Sequence, residues 1–125
     1  MYSGYTKLYA FEKAELLAHA VFETSKAFPR IEDRSLTDQI RRSSRSVCSN
    51  IAESYAKRRY PKHFISKLTD SLGEAYETEC WLRFARRCNY INNDTFLDLH
   101  GQVIEVNRLL MNMIRNPETF ADKFT

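Results

Sequence analysis

Apolar residues recur along this chain at alternating spacings of three and four, in four runs separated by short polar links. From about Leu8 to Phe28 the positions Ala14, Leu17, Ala18, Val21, Phe22 and Phe28 share one helical face. Pro29 stops that run because it has no N–H for the next helical hydrogen bond. A charged connection, Arg30 to Ser35, leads to a second helix that Ser35 and Asp38 open well, and Leu36, Ile40, Val47 and Ile51 carry its seam to about Arg58. Pro61 suits the first turn of a third helix reaching about Asn89, with Phe64, Ile65, Leu68, Leu72, Ala75, Tyr76 and Leu82 as its apolar side. Gly73 within it costs about 1 kcal/mol relative to Ala and points to a backbone packed closely against a neighbour. Asn92, Asn93 or Asp94 caps a fourth helix, about Asp94 to Asn116. Its stripe of Phe96, Leu99, Val103, Val106, Leu110 and Met113 is widened by Leu97, Ile104, Leu109 and Ile114, and Pro117 closes it. Tyr2, Tyr5 and Tyr9 can lie over a neighbouring element, and Phe120 and Phe124 can tuck the tail back.

Four amphipathic helices with short links predict an all-α fold, an antiparallel up-down-up-down four-helix bundle. One domain over residues 1–125 is expected, with the bundle at about 8–116 and short tails. With 3 Gly and 3 Pro in 125 residues, the turn chemistry of a many-stranded fold is nearly absent.

The second helix carries a polar pattern beside its seam. Gln39, Arg42, Ser46, Asn50 and Glu53 fall on one flank at spacings of three and four, and Lys67, Asp70, Glu74 and Glu77 form a similar ladder on the third helix. If the two helices turn back on each other near residue 60, Arg42 meets Glu77, Ser46 meets Glu74, Asn50 meets Asp70 and Glu53 meets Lys67. That register makes Arg42→Ala costlier than Arg41→Ala. The other reading of the same flank is a solvated face.

Composition narrows the function. Hydrophobic residues make up 43% and charged residues 28%, the profile of a soluble globular protein, and no apolar stretch is long enough for a membrane span or a signal peptide. The three cysteines, Cys48, Cys80 and Cys88, show no metal-like or redox spacing, so they read as reduced, mostly buried small hydrophobes of a cytoplasmic protein. His19, His63 and His100 stand alone, with no Glu-x-x-His pair, and His19 reads as an ordinary partly buried side chain. No metal and no cofactor is expected. Without a glycine-rich phosphate loop, a nucleophile elbow or a spacing that proposes an activated Ser or Cys, no enzyme is expected either.

Charge is the remaining signal. The net charge is +3, but residues 30–67 hold ten Lys or Arg against four Asp or Glu, a local excess of six. Arg41 and Arg45, then Lys57, Arg58, Arg59 and Lys62 around the turn, predict a continuous basic surface for the phosphates of RNA or DNA. A helix-turn-helix is a poor description of the stretch, because its seam runs through without a break. The competing reading is a protein-protein scaffold whose basic charges serve solvation and pairing between subunits. The wide stripe on the fourth helix favours a homo-oligomer in either case.

The same residues resemble a known family. QIRRSSRSVCSNIAES matches the signature Gln-x-x-Arg-Ala-x-x-Ser-x-x-x-Asn-Ile-Ala-Glu-Gly at Gln39, Arg42, Ser46, Asn50, Ile51, Ala52 and Glu53, with Ser43 and Ser54 replacing Ala and Gly. A second block, Phe64 to Ile91, is similar through Asp70, Glu74, Glu77, Thr78, Trp81, Leu82, Ala85 and Tyr90, with Asn89 where Gly is common. The family is that of the four-helix-bundle proteins named for reading frames in intervening sequences of bacterial 23S ribosomal RNA genes. The resemblance implies a ring-like homopentamer. A similar fold, the accessory protein of diversity-generating retroelements, is a basic pentamer that associates with a reverse transcriptase and nucleic acid, which implies the same partner class here.

Overall fold

The computed structural model describes residues 4–121; Tyr2 and Phe124 lie outside them. Four long helices, α1 (Tyr9–Ser25), α2 (Leu36–Ala56), α3 (Pro61–Arg87) and α4 (Asn93–Arg115), are followed by a single turn, α5 (Pro117–Phe120). Each long helix packs on its two neighbours, with α1 closing the square on α4. Direction follows from cross-helix pairs. Ser43 bonds Thr78, Ser71 bonds the carbonyl of Val47, and Lys67 lies by Glu53, so numbers rise on one helix as they fall on the other.

The buried positions of α3 are Phe64, Leu68, Ser71, Ala75, Thr78, Leu82 and Ala85, and those of α4 are Leu99, Val103, Val106, Leu110 and Met113. Steps alternating strictly between three and four give a seam with a period of 3.5, the pattern of helices that interlock side chains along a shared axis. Leu17, Val21, Ile40, Val47 and Ile51 fill the core from α1 and α2. Each such side chain contributes about 1.5–3 kcal/mol by leaving water. At one end Phe120 covers Phe64, with ring centroids 6.4 Å apart. Tyr5, in a 3₁₀ turn at Gly4–Lys7, packs edge-on against Phe11 of α1 at 4.8 Å, whereas Tyr9 points into solvent.

Helix ends differ from expectation in informative ways. α1 stops at Ser25, short of Pro29, through turns that bring Ala27 and Phe28 N–H to the carbonyls of Thr24 and Ser25. Ser35 does not cap α2 itself. Its hydroxyl donates to Glu32 Oε1 at 2.6 Å, and the same oxygen accepts the Leu36 N–H at 3.2 Å, so a carboxylate one turn upstream supplies the negative charge that a helix start favours. Glu32 Oε2 also accepts from the Tyr90 hydroxyl at 2.9 Å, which ties the α1–α2 link to the α3–α4 turn. That partner pushes the Tyr90 hydroxyl up to about 12, and the bonds from Ser35, Tyr90 and Leu36 hold Glu32 below the ordinary carboxylate range. α3 ends on Asn89 with φ 63°, the left-handed region that Gly enters most easily. Tyr90 N–H bonds Ala85 O and Asn89 N–H bonds Arg86 O, closing the helix. Asn92 Oδ1 then accepts the Thr95 N–H at 2.8 Å and starts α4.

Several side chains expected inside are outside. Gly73 is exposed, and a Cβ there would meet nothing within 4 Å, so no neighbour of this chain needs its small size. Tyr76 lies off the α3 seam and is exposed. Cys80 and Cys88 are also exposed, because they sit on the outer side of α3, while Cys48 is half-buried and its thiol is pushed up to about 11 by that burial. His19 points away from the core, its side chain 72% exposed and 3.9 Å from Glu23.

Candidate nucleic-acid interface

The basic residues gather in two places. On α2, Arg41 and Arg45 are one helical turn apart on the flank that faces α1, and Phe22 of α1 lies beneath both. Their guanidinium carbons are 4.8 and 5.4 Å from the ring centroid, and Lys26 Nζ, one turn along α1 from Phe22, is 5.0 Å from it. The electron-rich ring face attracts each cation and holds three like charges together. Arg41 is fixed further: its Nε donates to Ser25 Oγ at 2.7 Å, and buried Ser25 donates to the Phe22 carbonyl at 2.9 Å. Lys26 pairs with Glu23 at 2.9 Å. Among the described residues no carboxylate comes within ion-pair distance of Arg41 or Arg45, so both keep their positive charge uncompensated.

Lys57, Arg58, Arg59 and Lys62 form the second group, at the α2–α3 turn. Arg58 stacks on Tyr55, Cζ to ring centroid 3.7 Å, and donates from Nη1 to the Tyr55 carbonyl at 2.7 Å. Lys57, Arg59 and Lys62 are exposed. Twelve residues separate Arg45 from Lys57, about 18 Å along the helix and about a third of a turn around it. The surface between them carries Ser49, Ala52 and Ala56, so the two groups are separate patches and not the continuous surface the sequence suggested.

The polar ladders form a groove between α2 and α3, lined by Gln39, Arg42, Ser46, Glu74 and Glu77 among others. Ser46 and Glu74 line this groove side by side, and Lys67 Nζ lies 3.6 Å from Glu53 and 3.8 Å from Asp70. Two expected pairings do not form. Asn50 turns back along its own helix, donating to Ser46 O at 2.9 Å and Ser46 Oγ at 3.2 Å, because a local acceptor is nearer than Asp70. Arg42 is exposed and makes no hydrogen bond or ion pair with Glu77 or any described residue. With no cation to separate them, Glu74 and Glu77 crowd each other, and burial with that neighbour raises the Glu74 carboxyl above its ordinary value. The polar contacts that cross the helix interface at depth are others: Ser43 to Thr78 at 2.8 Å and Ser71 to the Val47 carbonyl at 2.8 Å. They lie on the buried seam itself, and reading serine and threonine at seam positions as bonded core residues would have found them.

On the α3–α4 side, His100 Nε2 is 2.7 Å from Glu79 Oε2 and stacks on Phe96, while Arg83 reaches the same carboxylate at 3.3 Å. The imidazole bond first, then Arg83, holds Glu79 below the ordinary carboxylate range. Among the described residues no three His, Cys, Asp or Glu side chains come together to hold a metal ion, and no helix is long and apolar enough to cross a membrane. Phe22 and Lys26 were missed as site residues. Phe22 follows the apolar period of α1 and so reads as core, although it lies half-buried on the edge of that face.

No curated protein matches the chain. Among solved structures it is similar to a Bacteroides thetaiotaomicron protein of unknown function from the S23 ribosomal protein family. The two share 29% sequence identity with a TM-score of 0.77, over 85% of this chain and 98% of that one. The family model for the 23S rRNA-intervening sequence protein matches residues 6–112, from the 3₁₀ turn before α1 to the last turn of α4. The chain belongs to the 23S rRNA-intervening sequence protein family.

Proposed function

We propose that this protein is a non-catalytic, oligomeric helical bundle of the cytoplasm that binds nucleic acid, RNA first, through phosphate contacts. The observation that carries this reading is the Arg41–Arg45 pair, held by Phe22 and Ser25, with no carboxylate partner among the described residues. Guanidinium groups fixed in advance lose little freedom on meeting a phosphate, and each contact releases counterions from the polymer. Lys57, Arg59 and Lys62 add a second, more exposed charge group at the α2–α3 turn. The name of the family refers to 23S rRNA, and the similar Bacteroides structure is described as belonging to a ribosomal protein family, which supports RNA as the partner. Leu16, Leu97 and Ile104 stay more than half exposed on one face, which supports self-association, and the family likeness implies five copies in a ring. Five copies would present the arginine pair five times to one polymer.

The test is retention of mixed-sequence RNA and duplex DNA at low salt by the parent and by Arg41→Gln/Arg45→Gln and Arg58→Gln/Arg59→Gln proteins. The first double variant should lose most of the retention and the second a smaller share, with assembly unchanged. If the parent retains neither polymer, the nucleic-acid reading fails and a protein-protein scaffold takes its place.

A further inference from the structure

We propose that the polar groove between α2 and α3 holds a guanine base of single-stranded RNA, with the Glu74 and Glu77 carboxylates on its N1–H and N2 amino donors and Arg42 on its O6 and N7. This rests on the RNA-binding reading above and adds which base the protein selects. The groove has a volume of about 510 Å³, within the range of about 300–1,000 Å³ usual for small-ligand sites. Its two walls differ in chemistry. α3 supplies half-buried Glu74 and Glu77, and α2 supplies Gln39, Arg42, Arg45 and Ser46. Arg42 has no partner among the described residues, and the two carboxylates crowd each other. Unpaired donors and unpaired acceptors therefore face one open space. A metal ion fits it poorly, because among the described residues no three His, Cys, Asp or Glu side chains come together. A lysine or arginine of a peptide would satisfy the carboxylates but set a like charge against Arg42. A neutral ligand with donors on one edge and acceptors on the next satisfies both walls.

Arg45 joins this groove to the phosphate site. Its guanidinium carbon lies 5.4 Å from the Phe22 ring centroid, beside Arg41, and its side chain also lines the groove. A phosphate held at Arg41 and Arg45 thus leaves its nucleotide at the mouth of the groove, and a base turned inward meets the carboxylates. The edges of the bases then decide. Guanine carries two adjacent donors, N1–H and the N2 amino group, which match carboxylate oxygens. Adenine and cytosine set one amino group beside a ring-nitrogen acceptor, and uracil sets its single N–H between two carbonyls, so a carboxylate meets a lone pair in each. Guanine O6 and N7 are both acceptors, the pair that an arginine fork meets in its commonest base contact. Burial and the Glu77 charge raise the Glu74 carboxyl, as expected of an acid short of donors, and the guanine N–H groups supply them. These N–H groups are used up by pairing in a duplex, so the base must come from a single strand.

The test measures, by fluorescence anisotropy at low salt, the binding of short uridine oligomers that carry one central guanosine, inosine or adenosine. The parent should bind the guanosine oligomer about tenfold more tightly than the other two, inosine falling behind because it lacks the N2 amino group. In Glu74→Gln/Glu77→Gln, the loss of two negative charges should raise affinity for every oligomer while abolishing the preference. A purely electrostatic role of the pair would raise affinity and leave the ratio between oligomers as it was. Arg41→Gln/Arg45→Gln should weaken all three. A parent that binds the three oligomers equally, or a glutamine variant that keeps the preference, overturns the guanine site while leaving the phosphate reading standing. A parent that binds none of them overturns the nucleic-acid reading and this inference with it.

Discussion

Arg41 and Arg42 are adjacent in sequence and opposite in role. Arg41 is bonded to a buried serine and lies on an aromatic ring, whereas Arg42 projects from a groove without a partner among the described residues. Urea denaturation should therefore show Arg41→Ala costing about 1 kcal/mol and Arg42→Ala less than about 0.5, the reverse of the order that ladder spacing predicts. A comparable inversion applies to Gly73. An exposed helical glycine with nothing around its missing side chain carries only the entropic cost, so Gly73→Ala should stabilise the protein by about 1 kcal/mol, visible as a raised midpoint. Asn89 is different, because its φ of 63° is native. Asn89→Gly should be tolerated or mildly stabilising, while a β-branched residue there should be costly. The sequence marks where a glycine or arginine stands but not whether its partner arrives, since rotamer and local competition decide that.

At the level of the helix, most of the fold was legible and the polar contacts were not. The period of 3.5 in α3 and α4, the prolines at residues 29, 61 and 117 and the asparagines at the α3–α4 turn place every long helix to within a few residues. The register of α2 on α3 could be read from the ladders, yet Asn50 and Arg42 departed from it, and buried Ser43, Ser71 and Thr78 carry the interior bonds instead. Acid titration separates two carboxylates on α3. Glu79, facing His100 and Arg83, titrates below its unfolded value, so its contribution is present above about pH 4.5 and is lost as the pH falls through the lowered value. Glu74, facing Glu77, Asp70 and Ser46, is raised, so the folded state favours its protonated form and its penalty appears as the pH rises through the shifted value. Stability measured against pH should thus show Glu79→Gln weakening the neutral protein and flattening its acid limb, and Glu74→Gln strengthening it at neutral pH.

For the whole molecule, the four faces of the bundle divide the work. Exposed apolar side chains line hollows on the α1/α4 and α2/α3 faces, and the α1/α2 face carries the arginine pair. The basic excess was plain in the sequence, but its division into two patches was not, because charge counting ignores the turn of the helix between Arg45 and Lys57. The central claim is that Arg41 and Arg45 contact phosphate, and its most direct measurement is the dependence of RNA affinity on salt for the parent and for Arg41→Gln/Arg45→Gln. Each phosphate contact contributes about 0.7 to the slope of log affinity against log salt on a single strand, so removing two should lower its magnitude by about 1.4 per protomer engaged. An unchanged slope, with the variant still assembled, would contradict the account.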